Sequence, residues 1–74
     1  RSCQVNRVSW NEDGTLLASV DSCGNLSLWN PQQETALLSL KANDNPLYGL
    51  LWTSDGKNLL TAGLDGILRV WGIQ

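Results

Sequence analysis

No histidine occurs anywhere in the 74 residues, and only two cysteines are present, Cys3 and Cys23. Without imidazoles, two thiols cannot complete the usual four-ligand zinc set, and two are too few for a disulfide scaffold. Cations are equally sparse. Arg1, Arg7, Lys41, Lys57 and Arg69 are scattered along a chain of net charge −2, which lacks the basic footprint of a nucleic-acid binder. No apolar run approaches the roughly 18 residues of a membrane span, and no charged-then-apolar leader opens the sequence. There is also no serine in a nucleophile elbow, no glycine-rich phosphate loop and no metal constellation. These gaps predict a chain that is not an enzyme, needs no cofactor, and meets neither nucleic acid nor membrane. Cys3 and Cys23 read as unpaired thiols of an intracellular protein, cytoplasmic or nuclear, with a bridge between them as the alternative. Because residue 1 is Arg rather than Met, a piece of a longer or engineered product is expected.

What remains is 42% apolar, enough for one small globular domain. A chain this short buries only about 60% of its unfolded surface, so help from outside the chain is expected. The four tryptophans organise it: Trp10 and Trp29 stand 19 residues apart, as do Trp52 and Trp71, and the two pairs are 42 residues apart. Laid over each other without a gap, Val8–Trp29 and Leu50–Trp71 match Trp10 with Trp52, Asp13 with Asp55, and Gly14 with Gly56. Leu17 matches Leu59, Gly24 matches Gly66, Leu26 matches Leu68, and Trp29 matches Trp71. The shared positions are turn residues and large apolar residues, the properties a repeated supersecondary unit constrains most. The units are 1–42 and 43–74.

Each unit is β in character. Asp13-Gly14 and Asp55-Gly56 are read as tight hairpin turns, and Cys23-Gly24-Asn25 and Asp65-Gly66 repeat the turn signal ten residues later. The five or six residues between turns suit strands. Strand a covers about Val5–Trp10 and Leu47–Trp52, strand b Leu16–Asp21 and Asn58–Gly63, and strand c Leu26–Trp29 and Ile67–Trp71. Strand d, Thr35–Lys41, follows the breaker Asn30-Pro31 and has no counterpart in the second unit. Trp10 and Trp52, in phase at the ends of strand a, are expected in the core rather than exposed as ligand readers. Small sheets apolar on both faces must be covered on both faces. Stacking copies of the sheet does this, and sheet twist curls the stack into a ring.

These residues resemble the WD-repeat β-propeller family. The resemblance rests on Val5–Gly14, Leu17-Ala18-Ser19 and Leu26–Asn30 in the first unit, and on Trp52–Lys57, Leu59-Leu60-Thr61, Leu64-Asp65-Gly66 and Leu68–Gly72 in the second. It implies an all-β fold of antiparallel four-stranded blades, here a two-blade fragment of a larger propeller. It also implies a buried hydrogen-bond chain in each blade, falling on Asn43, Thr61, Asp65 and Trp71 in the second unit. The matching positions in the first are Arg1, Ser19, Cys23 and Trp29, where the His and Asp of the family are both replaced and the network is expected to be missing. Asp65 is expected to hold its turn, with Cys23 doing no comparable work.

The function the resemblance implies is a non-catalytic scaffold for protein–protein contact. Its contact residues on the top face fall at Gln4, Asn6 and Ser22 in the first unit and at Pro46, Tyr48 and Leu64 in the second, the latter trio having the aromatic and aliphatic character of interface anchors. Partners would be other proteins, the remaining blades of a parent propeller, or further copies of the chain. Two alternatives stay open: blades that only complete a larger assembly or coat component, and an excised or engineered propeller fragment.

Overall fold

A computed structural model describes residues 3–33 and 35–72. Seven strands follow in order: β1 (Val5–Trp10), β2 (Leu17–Asp21), β3 (Asn25–Trp29), β4 (Ala36–Lys41), β5 (Leu47–Trp52), β6 (Asn58–Gly63) and β7 (Leu68–Gly72). They form two antiparallel meanders, β1-β2-β3-β4 and β5-β6-β7, one per sequence unit. Among the described residues β7 is an edge, as the missing counterpart of strand d predicts. Both strands a carry a register irregularity at their start, between Val5 and Arg7 and between Leu47 and Gly49, so the repeat extends to backbone detail.

The turns differ from the expected two-residue hairpins. Between β1 and β2 the Asn11 N–H bonds the Leu16 carbonyl (3.0 Å), and Gly14 N–H bonds the Asn11 carbonyl (3.0 Å). The second unit repeats this with Thr53 to Asn58 (3.0 Å) and Gly56 to Thr53 (2.9 Å). Among the described residues positive φ occurs only at Gly14, Gly24, Gly56 and Gly66, so neither Asp adopts it. Each Asp-Gly pair therefore closes a longer loop whose last turn residue is left-handed, rather than a turn needing positive φ at both positions.

Period-2 alternation decides which side chains meet. Ala18, Val20, Leu26 and Leu28 share one face of the first sheet, and Leu47, Trp52 and Leu59 share one face of the second. These two faces pack together as the core, closed by Ala42 in the connection between the sheets. Three side chains stitch β1 to the β5 backbone or the reverse: Asn6 Nδ2 to the Leu47 carbonyl (2.9 Å), Arg7 Nε to the Tyr48 carbonyl (3.4 Å), and Trp52 Nε1 to the Ser9 carbonyl (3.0 Å).

Trp10 corrects an expectation. Trp52 is 9% exposed, but Trp10 is 51% exposed. The two occupy the same place in their sheets, yet only the second sheet has a neighbour over that face. Cys3 and Cys23 supply a second correction, since they form a disulfide with Cα atoms 5.4 Å apart. Strand pairing explains it: β1 and β2 run antiparallel with Val5 opposite Asp21, which brings the residues flanking them to one corner. The thiols therefore no longer speak for a reducing compartment.

Candidate protein-interaction surface

The pairs Val5 with Asp21 and Leu47 with Gly63 place the start of each strand a beside the turn that follows strand b. In the first sheet Ser22 N–H donates to the Gln4 carbonyl (2.8 Å) and Gln4 N–H to Ser22 Oγ (2.9 Å). In the second, Leu64 N–H donates to the Pro46 carbonyl (2.9 Å). All six residues singled out by sequence thus lie at one end of the two sheets. Tyr48 is 50% and Leu64 64% exposed, while Pro46 is half-buried. Asn6 differs from its neighbours because its amide is engaged in the seam with Leu47. At the opposite end a shallow open cleft is lined by Ser9, Trp10, Glu12, Leu51, Trp52 and the start of the turn after β5.

Beneath this surface the internal hydrogen bonds are shared differently from the expected chain. Trp71 Nε1 donates to Thr61 Oγ1 (3.0 Å), and Trp29 Nε1 donates to Ser19 Oγ (3.0 Å). The strand b to strand c half of the network therefore exists in both units, including the first, where it was expected to be missing. Thr61 and Ser19 are buried, so each hydroxyl satisfies an indole N–H that would otherwise lie beside apolar side chains. Asn43 is buried and accepts a long bond from Asn45 N–H (3.4 Å). Its Nδ2 has no hydrogen-bond partner among the described residues, although the amide lies near enough to Asp65 to favour the charged carboxylate slightly. Arg1, the matching position in the first unit, lies outside the described residues.

The b–c turns reveal an exchange of roles that sequence reasoning missed. Asp65 Oδ1 accepts from Ile67 N–H (3.0 Å), and Oδ2 meets Arg69 at 3.3 Å. In the first unit Cys23 occupies the equivalent place, and the carboxylate comes from Asp21, two residues earlier. Asp21 Oδ1 accepts from Cys23 N–H (3.0 Å) and Asn25 N–H (2.8 Å), and Oδ2 accepts from Asn25 Nδ2 (3.2 Å). The signal was available, since Asp21 aligns with Gly63 and Cys23 with Asp65. Ile67 N–H, followed by Arg69, holds the Asp65 carboxyl below its ordinary value, and Thr53 with Lys57 N–H does the same for Asp55.

Two short antiparallel meanders packed face to face, repeating in turn and register, define a pair of propeller blades. The β-propeller domain of Myceliophteria_thermophila Cps50 (Swd1) superposes with a TM-score of 0.90 over 97% of this chain and 23% of that one, at 19% identity. A chain from a mitotic checkpoint complex matches with a TM-score of 0.54 over 97% of this chain and 35% of its own length, at 18% identity. The family described as WD domain, G-beta repeat matches residues 1–30 and 34–72, and the chain belongs to it. The F-box-like/WD repeat-containing protein TBL1X of Mus musculus is 33% identical over 67 residues, covering 90% of this chain and 12% of that protein. Periodic tryptophan protein 2 of Arabidopsis thaliana is 31% identical over 70 residues, covering 95% of this chain and 8% of that protein. The chain thus spans about a tenth of the length of these relatives. WD-repeat propellers are in general non-catalytic scaffolds for protein interaction.

Proposed function

We infer that this chain contributes a protein-binding surface to a WD-repeat scaffold, with Tyr48, Pro46 and Leu64 as its anchors and no catalytic role. The observation that carries the reading is the combination of exposure and rigidity at the start of β5. Tyr48 and Leu64 present large apolar surface to solvent, while the Leu64–Pro46 bond and the Arg7–Tyr48 bond hold the backbone beneath them. An anchor on a fixed backbone loses little conformational freedom on binding, which is where affinity is usually lost. Gln4 and Ser22 satisfy each other's backbone groups and form the polar flank of the same end.

A photoactivatable cross-linking residue at position 48, compared with one at Lys57, tests the reading. Protein adducts are expected from position 48 and not from position 57. In the protein that carries these blades, Tyr48→Ala is then expected to weaken binding of the cross-linked partner by about 2 kcal/mol, roughly thirtyfold, with little change in melting temperature. Unchanged affinity, or loss of the fold, would favour a second reading in which the blades only complete a larger ring. That second reading draws on the outward faces: Val8 and Trp10 on the first sheet and Leu51, Leu68 and Val70 on the second are exposed.

A further inference from the structure

The repeat supplies its own control for one corner of the first sheet. Cys3, Asp21 and Cys23 correspond, 42 residues on, to Asn45, Gly63 and Asp65. The second unit builds its strand start and turn without cysteine, so the fold does not require the cysteine pair, while Asp21 does in the first turn the work that Asp65 does in the second. The ligand atoms of Cys3, Asp21 and Cys23 nevertheless gather within 4.8 Å of one another. The Asp21 carboxylate is already oriented by Cys23 N–H, Asn25 N–H and Asn25 Nδ2, and Oδ2, which accepts only the last of these (3.2 Å), retains acceptor capacity.

The sulfur atoms are held together by more than their own bond. Gln4 follows Cys3 and Ser22 precedes Cys23, and these neighbours exchange two hydrogen bonds of 2.8 and 2.9 Å. Breaking the disulfide therefore leaves both thiols facing the same carboxylate.

We propose that the reduced Cys3–Cys23 pair, together with Asp21, binds one thiophilic divalent cation of the zinc class, so that disulfide and metal are alternative states of this corner. Reduction by a phosphine transfers two electrons to the S–S bond; water supplies the oxygen of the resulting phosphine oxide and the two protons of the thiols. The cation then displaces both thiol protons into solvent and is held by two thiolates and one carboxylate oxygen. Soft sulfur donors select zinc over magnesium or calcium, and three protein ligands leave the fourth tetrahedral position to water. Asn25 and the turn N–H groups act on the carboxylate as outer partners that fix its direction. The absence of histidine excludes a full four-ligand set from Cys and His, but not this three-ligand site, whose third member the sequence spacing hides.

The test uses the whole 74-residue chain under anaerobic conditions with a water-soluble phosphine. Cobalt(II) is titrated as the spectroscopic probe, then displaced with zinc. The expected result is one cobalt per chain with a thiolate-to-cobalt charge-transfer band that zinc abolishes and that the disulfide form never shows. Cys3→Ser and Cys23→Ser are expected to lose the band. Asp21→Asn, which keeps an oxygen acceptor for the turn, is expected to weaken cobalt binding at least about tenfold. Circular dichroism without cobalt checks that each variant keeps its sheets. The proposal is overturned by a reduced, β-folded chain that gives no band, by half a cobalt per chain, by equal affinity in Asp21→Asn, or by collapse of the sheets on reduction.

Discussion

Carboxylates at the turns carry charge that the folded chain favours. Asp65 is held below its ordinary value of 3.8 by Ile67 N–H and Arg69, and Asp55 likewise by Thr53 and Lys57 N–H. A carboxyl lowered on folding contributes stability that is fully present above its unfolded value and is lost as pH falls through the folded one. Both groups are solvent-exposed, so screening keeps each effect small. The melting temperature is therefore expected to hold from neutrality down to about pH 5 and to fall below 3.8. Asp65→Asn should lower the neutral melting temperature slightly and flatten part of that acid limb, so that the two proteins converge at low pH. A melting curve with the same acid slope in both proteins would show that the turn does not feel the charge.

At the scale of elements, the sequence repeat is a good guide to the strands and a poor one to their surroundings. Strands β1, β5 and β6 fall at the ranges expected from turn spacing and apolar alternation, because those signals are local. The exposure of Trp10 is not local, since it depends on which face has a neighbour, and identical residues in phase give no hint of it. The sequence places the Cys3–Cys23 bridge second because the chain reads as intracellular, whereas pairing of β1 with β2 supplies the proximity that spacing alone does not. The candidate surface residues come from what the family resemblance implies, and the seam role of Asn6 requires knowing that β1 and β5 are adjacent.

Gly24 and Gly66 turn this point into a measurement. Both have positive φ, 83° and 78°. Nothing lies within 4 Å of a Cβ built on Gly66, whereas one on Gly24 would collide with the Asn43 carbonyl. That approach exists because the Gly24 carbonyl accepts Ala42 N–H (2.8 Å) and Asn43 N–H (3.1 Å), pinning the connection between the sheets. Gly66→Ala is expected to cost about 1–2 kcal/mol from the left-handed conformation alone. Gly24→Ala is expected to cost more, by about 1–3 kcal/mol, through displacing the connection and leaving its buried N–H groups unpaired. Denaturant midpoints of the two variants decide, and equal losses would show that the connection tolerates displacement.

At the scale of the whole molecule, the exposed outward faces predict that two blades on their own associate. Val8, Trp10, Leu17 and Trp29 stand at the positions of Leu50, Trp52, Leu59 and Trp71, which the second sheet packs against the first. Leu60, Leu68 and Val70 stand at the positions of Ala18, Leu26 and Leu28, which the first sheet packs against the second. Each outward face is therefore an unfilled copy of one half of the interface between the two sheets. A head-to-tail contact between such halves is heterologous and continues until it closes or extends. Propellers usually close at about four to eight blades, so about two to four copies of a two-blade chain reach closure. No strand among the described residues pairs with the outer edge of β7, and that edge adds a route to further association. Sedimentation equilibrium on the isolated 74 residues is expected to show concentration-dependent multiples of the chain mass, and Val70→Glu, which places a charge on one outward face, is expected to shift it toward the monomer. A well-folded, dispersed wild-type monomer down to low micromolar concentration would show that the exposed faces are stable in water without a neighbour.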